Sequence, residues 1–104
     1  MSKDMVADIV LSILTTEPTN VKEIRALTGL KDLEIRQAVK RLRLAGHKIC
    51  SGKPGFWIWD GVDDSYSHTI KRILAHAYSE IEIARAMQGL PLEGQMEVAN
   101  GLVR

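Results

Sequence analysis

The chain has 104 residues and a formal net charge of +1, and 45% of its residues are hydrophobic while 26% are charged. This length allows one domain with a single core, and this composition argues against general disorder. Cys50 is the only cysteine, which excludes an internal disulfide and a cysteine-based zinc site. No run of about 18 apolar residues occurs, so we expect no membrane-spanning helix. The first apolar stretch contains Asp4 and Asp8 and makes a poor signal peptide, so we expect a cytoplasmic protein.

Apolar residues at helical spacing predict a first helix over residues 3–16. Its stripe consists of Met5, Val6, Ile9, Val10, Ile13 and Leu14. Glu17-Pro18 ends this helix, because the residue before a proline is disfavoured in the helical conformation. Asn20, followed three residues later by Glu23, fits a capping box and predicts a second helix over residues 21–27. The side chains expected to point inward from it are Val21, Ile24 and Leu27.

A tight turn at Gly29 separates this short helix from a third one, predicted over residues 32–45. The buried face of the third helix is predicted to consist of Ile35, Ala38, Val39 and Leu42. Two short strands, over residues 47–51 and 56–59, flank a turn-rich loop at 52–55 and predict a β-hairpin. Trp57 and Trp59 share one face of the second strand, and we expect them to pack in the hairpin and under the helix that follows.

A long helix is predicted over residues 63–88. Its apolar stripe consists of Tyr66, Ile70, Ile73, Leu74, Ala77, Ile81 and Ala84. Gly89 and Pro91 end it. Residues 90–104 show little periodicity and are predicted to form a flexible tail. The chain is thus expected to be an α+β protein, mainly α, with a folded domain over 1–60, a long helix over 61–89 and the tail.

Positive charge is concentrated in one part of the sequence. No acidic residue occurs between Glu34 and Asp60, whereas six basic residues do. They are Arg36, Lys40, Arg41, Arg43, Lys48 and Lys53. The 13 acidic residues of the chain are therefore kept out of a segment predicted to fold as a helix and a hairpin. Segregated positive charge on one structured surface is typical of a protein that binds a polyanion.

The order of these elements resembles that of the winged helix-turn-helix superfamily. The resemblance is carried by residues 20–24, 28–30 and 36–42 and by Gly46-His47, and it covers about residues 3–60. With the long helix added, the chain is similar to small phage or prophage members of that group. The resemblance implies three helices with a two-stranded wing, and a small transcriptional regulator that binds double-stranded DNA.

The resemblance also implies roles for individual residues. Four residues of the third helix would face base edges in the major groove: Leu33, Arg36, Gln37 and Lys40. Four others would hold phosphates: Lys22, Arg41, Arg43 and Lys53. Lys31-Asp32 departs from the small hydroxyl residue usual at the start of the reading helix, and Asp32 would repel a nearby phosphate. The alternative is that the charged side of this helix is merely solvated.

The apolar stripe of the long helix is longer than a two-stranded wing can cover, which favours a homodimer through this helix over a monomer. The residues predicted to form the dimer contact are Tyr66, Ile70, Ile73, Leu74, Ala77 and Ile81. The rival function is that of a phage replication or assembly accessory protein, using the winged helix and the long helix for contacts with other proteins.

Catalytic and metal-binding motifs are not found in the sequence. None of the three histidines, His47, His68 and His76, is a convincing metal ligand: His68 and His76 are eight residues apart on the long helix and we expect no carboxylate with them at chelating spacing, so we predict no metal site. Asp60, Asp63 and Asp64 precede a helix and are expected to act as caps. There is no glycine-rich phosphate loop, nucleophile elbow or catalytic carboxylate pair, so we predict neither a cofactor nor an enzymatic activity.

Overall fold

The computed structural model describes residues 2–89 and shows a mainly helical α+β fold. The helices and strands are α1 (Lys3–Ile13), α2 (Val21–Thr28), α3 (Asp32–Leu44), β1 (Ile49–Gly52), β2 (Gly55–Ile58) and α4 (Ser65–Met87). The chain divides into two compact units, of which the first ends at Thr69 and the second begins at Ile70. The predicted tail lies outside the described residues. Within the described part, no helix is both long and apolar enough to cross a membrane.

The core of the first unit lies between α1, α2, α3 and the hairpin. Its buried residues are Val6, Ala7, Val10, Leu14, Ile24, Leu30, Ile35, Ala38, Val39, Leu42, Ile49 and Phe56. The predicted buried face of α3 is confirmed in full. Because these residues recur every three or four positions, they fix which side of α3 is left facing outward.

The first helix is shorter than predicted, because the chain becomes extended at Leu14. The segment that follows pairs with β2: the Ile58 N–H donates to the Thr15 carbonyl at 2.7 Å, and Thr19 and Phe56 exchange two backbone hydrogen bonds of 2.8 and 2.9 Å. Leu14 is buried in this extended conformation, so its place in the apolar stripe could not reveal where the helix ends.

The prediction for the second helix is correct about the residue that caps its start and wrong about the burial of Leu27 near its end. The Asn20 side chain accepts a hydrogen bond from the Glu23 N–H at 2.8 Å, which is one half of the predicted capping box; among the described residues, the Glu23 carboxylate makes no bond back to the Asn20 N–H. Leu27, however, is 67% exposed, and Leu30 is buried in the core. Gly29 has a φ of 74°, and the reversal of the chain there directs Leu30 rather than Leu27 inward.

The predicted β-hairpin is present with a shorter loop. Gly52 pairs with Gly55, so that only residues 53 and 54 form the connection. Gly55 has a φ of 127°, and a Cβ atom there would lie 2.3 Å from the Thr19 carbonyl oxygen. Both observations require glycine, because only glycine takes this φ without strain and lets the two backbones approach so closely.

The start of α4 belongs to the first unit and is bound to the hairpin. Thr69 is buried, and its hydroxyl accepts a hydrogen bond from the Ser51 N–H at 3.2 Å. The Trp57 indole N–H donates to the Ser65 hydroxyl at 3.3 Å, and Trp59 stacks on Tyr66 with ring centroids 5.4 Å apart. The two tryptophans therefore contact the start of the long helix, as predicted.

Candidate nucleic-acid interface

The outward side of α3 gathers four of the predicted DNA-binding residues. Leu33, Arg36, Gln37 and Lys40 are all exposed. Helical geometry places them within an arc of about 100°, opposite the buried face. Within the described part of the chain, the side chains of Arg36, Gln37 and Lys40 have no hydrogen bond or ion pair. These four residues, which we call the α3 face, are therefore free to meet a ligand.

The acidic residue at the start of α3 is balanced by a nearby cation. Arg25 Nη1 lies 3.3 Å from Asp32 Oδ1. The Glu34 carboxylate accepts a hydrogen bond from the Lys31 N–H at 2.9 Å and so caps the helix. Both members of the Arg25–Asp32 pair are more than half exposed, so the pair contributes little stability. Its effect is to offset the negative charge that would otherwise repel a phosphate at this end of the helix.

Arg41 is held by an ion pair that joins α3 to α1. Its Nε and Nη2 lie 2.9 and 2.8 Å from the same Asp4 carboxylate oxygen. The side chains are 49% and 80% exposed, respectively. Surface pairs of this kind contribute about 0–1 kcal/mol, so a phosphate can replace Asp4 at small cost. Arg41 thus remains compatible with its predicted phosphate contact.

Arg43 has a structural role that its sequence position did not indicate. It is half-buried, and its Nε donates to the Ile49 carbonyl while its Nη2 donates to the Ser51 hydroxyl, each at 3.0 Å. These bonds fasten β1 to the end of α3. They use two of the five N–H donors of the guanidinium group, so Arg43 is held against the hairpin while its predicted phosphate contact stays a prediction.

The remaining basic residues are spread over other elements. Lys48 Nζ lies 5.1 Å from the Trp59 ring centroid and 5.8 Å from that of Tyr66, which is cation–π geometry. Lys53 is exposed in the hairpin loop, and Lys22 is exposed in the first turn of α2. Of the six cations in the acid-free segment, three therefore already have partners within the molecule.

A shallow groove of about 480 Å³ runs beside the α3 face. Its charged lining consists of Lys3, from the first turn of α1, and of Lys40, Arg41 and the acidic Glu34 of α3. Lys3 therefore adds positive charge next to the predicted reading residues. Counting charges along the sequence could not find it, because it lies about 30 residues before the acid-free segment.

Of the three acidic residues predicted to cap α4, Asp63 bonds to the first residue of the helix and Asp60 bonds within the linker before it, while Asp64 Oδ2 lies 2.9 Å from His68 Nε2. Asp60 Oδ1 accepts from the N–H groups of Val62 and Asp63, and Asp63 Oδ1 accepts from the N–H and the hydroxyl of Ser65. The bonds from Ser65 lower the pKa of the Asp63 carboxyl. Among the described residues, no group of three or more His, Cys, Asp or Glu is arranged to hold a metal ion.

No protein-family model matches this chain, and no curated protein or solved structure shows significant similarity to it. Its function is therefore inferred from the chemistry of the α3 face and of the residues around it.

Proposed function

We propose that this protein binds double-stranded DNA without catalysing a reaction, as a small transcriptional regulator with a winged helix-turn-helix arrangement. In this proposal α3 enters the major groove and the β1–β2 hairpin is the wing. The observation that carries the proposal is the α3 face, which presents an arginine, a glutamine and a lysine to solvent without a hydrogen bond or ion pair to any other described residue. Because these side chains need not break an internal hydrogen bond or ion pair, their binding to DNA carries no such energetic cost.

The chemistry of the α3 face suits base edges. Arg36 can donate two hydrogen bonds to guanine, Gln37 can pair with adenine through its amide, and Leu33 can contact a thymine methyl group. An α-helix with its side chains is about 10–12 Å in diameter and the major groove is about 12 Å wide, so α3 fits within it. A solvated helix face would need no such combination of donors, acceptors and an exposed leucine.

Phosphate contacts would come from exposed cations on α2, α3 and the hairpin loop. Lys22, Arg41 and Lys53 are the candidates, because Arg43 is bound to the hairpin. Each neutralised phosphate lowers the slope of log K against log salt by about 0.9, so these three predict a slope of about −2.7 per subunit. We therefore expect binding that weakens strongly with salt.

The proposal is tested by selecting preferred sites from random duplex DNA and measuring their affinity by fluorescence anisotropy. Arg36→Ala and Gln37→Ala should each relax preference at one or two base pairs, at a cost of about 1–3 kcal/mol for the preferred site. Arg72→Ala, which removes an equal charge from the second unit, is the matched control and should leave the affinity within about twofold of wild type.

Two outcomes would contradict this proposal. One is the absence of duplex binding at low salt. The other is weak binding with no base preference that Arg36→Ala and Arg72→Ala reduce equally. The second outcome would favour the rival function, in which the same scaffold contacts another protein during phage replication or assembly.

A further inference from the structure

The second unit has an apolar face that is exposed to solvent. Ile70, Leu74 and Ile81 have 42%, 49% and 45% of their surface exposed. Together with two alanines they form a stripe with alternating spacings of four and three residues. We call this stripe the seam; it consists of Ile70, Leu74, Ala77, Ile81 and Ala84. This spacing is that of the core positions of a coiled coil.

The residues beside the seam also follow a seven-residue repeat. One flank carries Ile73 and Glu80, and the other carries Lys71, Tyr78 and Arg85. Ile73 and Tyr78 are 44% and 56% exposed. Each flank therefore mixes apolar and charged residues in a fixed order, and this order can distinguish between the ways in which two helices pair.

We propose that a second copy of this chain covers the seam, with the two copies of α4 parallel and in register. In a parallel pair, a residue on the flank of Ile73 and Glu80 faces the residue five positions later on the other flank of the partner helix. Glu80 then faces Arg85 of the partner subunit, and Ile73 faces Tyr78 of the partner subunit. The first contact is complementary in charge and the second in hydrophobicity. Because the dimer has twofold symmetry, each contact occurs twice.

The antiparallel arrangement is poorer in both respects. With the seams fully overlapped about Ala77, each flank faces its own copy running in the opposite direction. Lys71 then approaches Arg85 of the partner subunit, and Ile73 approaches Glu80 of the partner subunit. These contacts place like charges together and bury an apolar side chain against a carboxylate, which disfavours this pairing.

The seam differs from the predicted dimer contact at three residues: it includes Ala84, it places Ile73 on a flank, and it lacks Tyr66. Tyr66 was expected to take part, but it stacks on Trp59 in the first unit. The seam also covers little more than two heptads, and two of its five residues are alanines, which bury little apolar surface. We therefore expect a dimer that dissociates on dilution, and sedimentation should show the change within about two decades of protein concentration.

Cysteine cross-linking tests whether a second copy of the chain covers the seam and whether the two helices run parallel. In a parallel pair, Ala77→Cys and Ala84→Cys should each oxidise to a disulfide-linked dimer, because identical seam positions meet. Ala86→Cys lies two residues further on, points away from the seam and is the matched control. Wild type is a second control, since its only thiol, Cys50, is buried. Cross-linking by Ala77→Cys alone, with Ala84→Cys linking only to Ile70→Cys, would show an antiparallel pair and overturn the proposal.

A charge exchange provides an independent test. Glu80→Lys and Arg85→Glu should each weaken dimerisation about tenfold, and the double variant should restore it. Residues five apart lie on different sides of one helix, so rescue within a single chain is not expected. A monomer at every concentration, or a double variant that is weaker than both single variants, would contradict the proposal. Sedimentation without DNA gives these results whether or not the protein binds DNA.

Discussion

Arg36 and Arg43 lie seven residues apart on α3, and their replacement by methionine should have opposite effects. Arg43→Met removes two charge-assisted hydrogen bonds and leaves the buried Ile49 carbonyl and the Ser51 hydroxyl without those donors. Such bonds contribute about 1.5–3 kcal/mol each when shielded from water. Because Arg43 is only half-buried, we discount the sum and expect a loss of about 1–3 kcal/mol. Arg36→Met removes no hydrogen bond or ion pair found in residues 2–89 and should change stability by less than about 0.5 kcal/mol.

The assay is equilibrium unfolding in urea followed by tryptophan fluorescence, since Trp57 and Trp59 both lie at the hairpin. Methionine keeps most of the aliphatic stem in both variants, so the difference isolates the guanidinium group. DNA affinity, measured where both variants are folded, should fall more for Arg36→Met. Equal stability of the two variants, or a larger loss for Arg36→Met, would refute the separation of a bracing arginine from a reading arginine.

The other predictions concern the hairpin, the linker and the loop. Gly55→Ala should lower the free energy of unfolding by about 3–5 kcal/mol, because it strains the backbone and brings the new Cβ atom against the Thr19 carbonyl. Gly61 has a φ of 85° but no neighbour within 4 Å of such a Cβ atom, so Gly61→Ala should cost only about 1 kcal/mol. Equal losses in urea unfolding would contradict the close approach of Gly55 to Thr19. The hydrogen bonds from Ser65 lower the pKa of the Asp63 carboxyl below its ordinary value of 3.8. The stabilisation from the ionised Asp63 is therefore complete above pH 3.8 and is lost as the pH falls through the lowered pKa. The difference in Tm between wild type and Asp63→Asn should therefore close below that pH, and a constant difference would exclude the linkage. Lys53→Ala should weaken all DNA sequences alike and make the salt slope shallower by about 0.9; an altered base preference would argue against a phosphate contact.

The sequence predicted the parts of the fold that depend on local periodicity. The buried face of α3, the cap at Asn20 and the hairpin follow from spacings of a few residues, and all three are present. The end of α1 and the exposure of Leu27 were not predictable in this way. They depend on pairing with β2 and on the direction that the chain takes after Gly29, both of which are tertiary effects.

The candidate site was predictable to a similar degree. Helical geometry placed the four residues of the α3 face together, and the structure shows them exposed. The partners of the other cations could not be foreseen, because Arg41 meets Asp4 across 37 residues and Arg43 bonds to a strand whose position depends on the whole fold. Charge counted along a sequence does not distinguish a cation that is free to bind from one already used within the molecule.

Backbone NMR during titration with a selected duplex shows residue by residue whether the α3 face contacts DNA. We expect the largest amide shift changes at Leu33, Arg36, Gln37 and Lys40, smaller ones near Lys53, and little change in α4 beyond Thr69. Shift changes confined to α4, or no change at a low salt concentration, would contradict DNA binding by the α3 face.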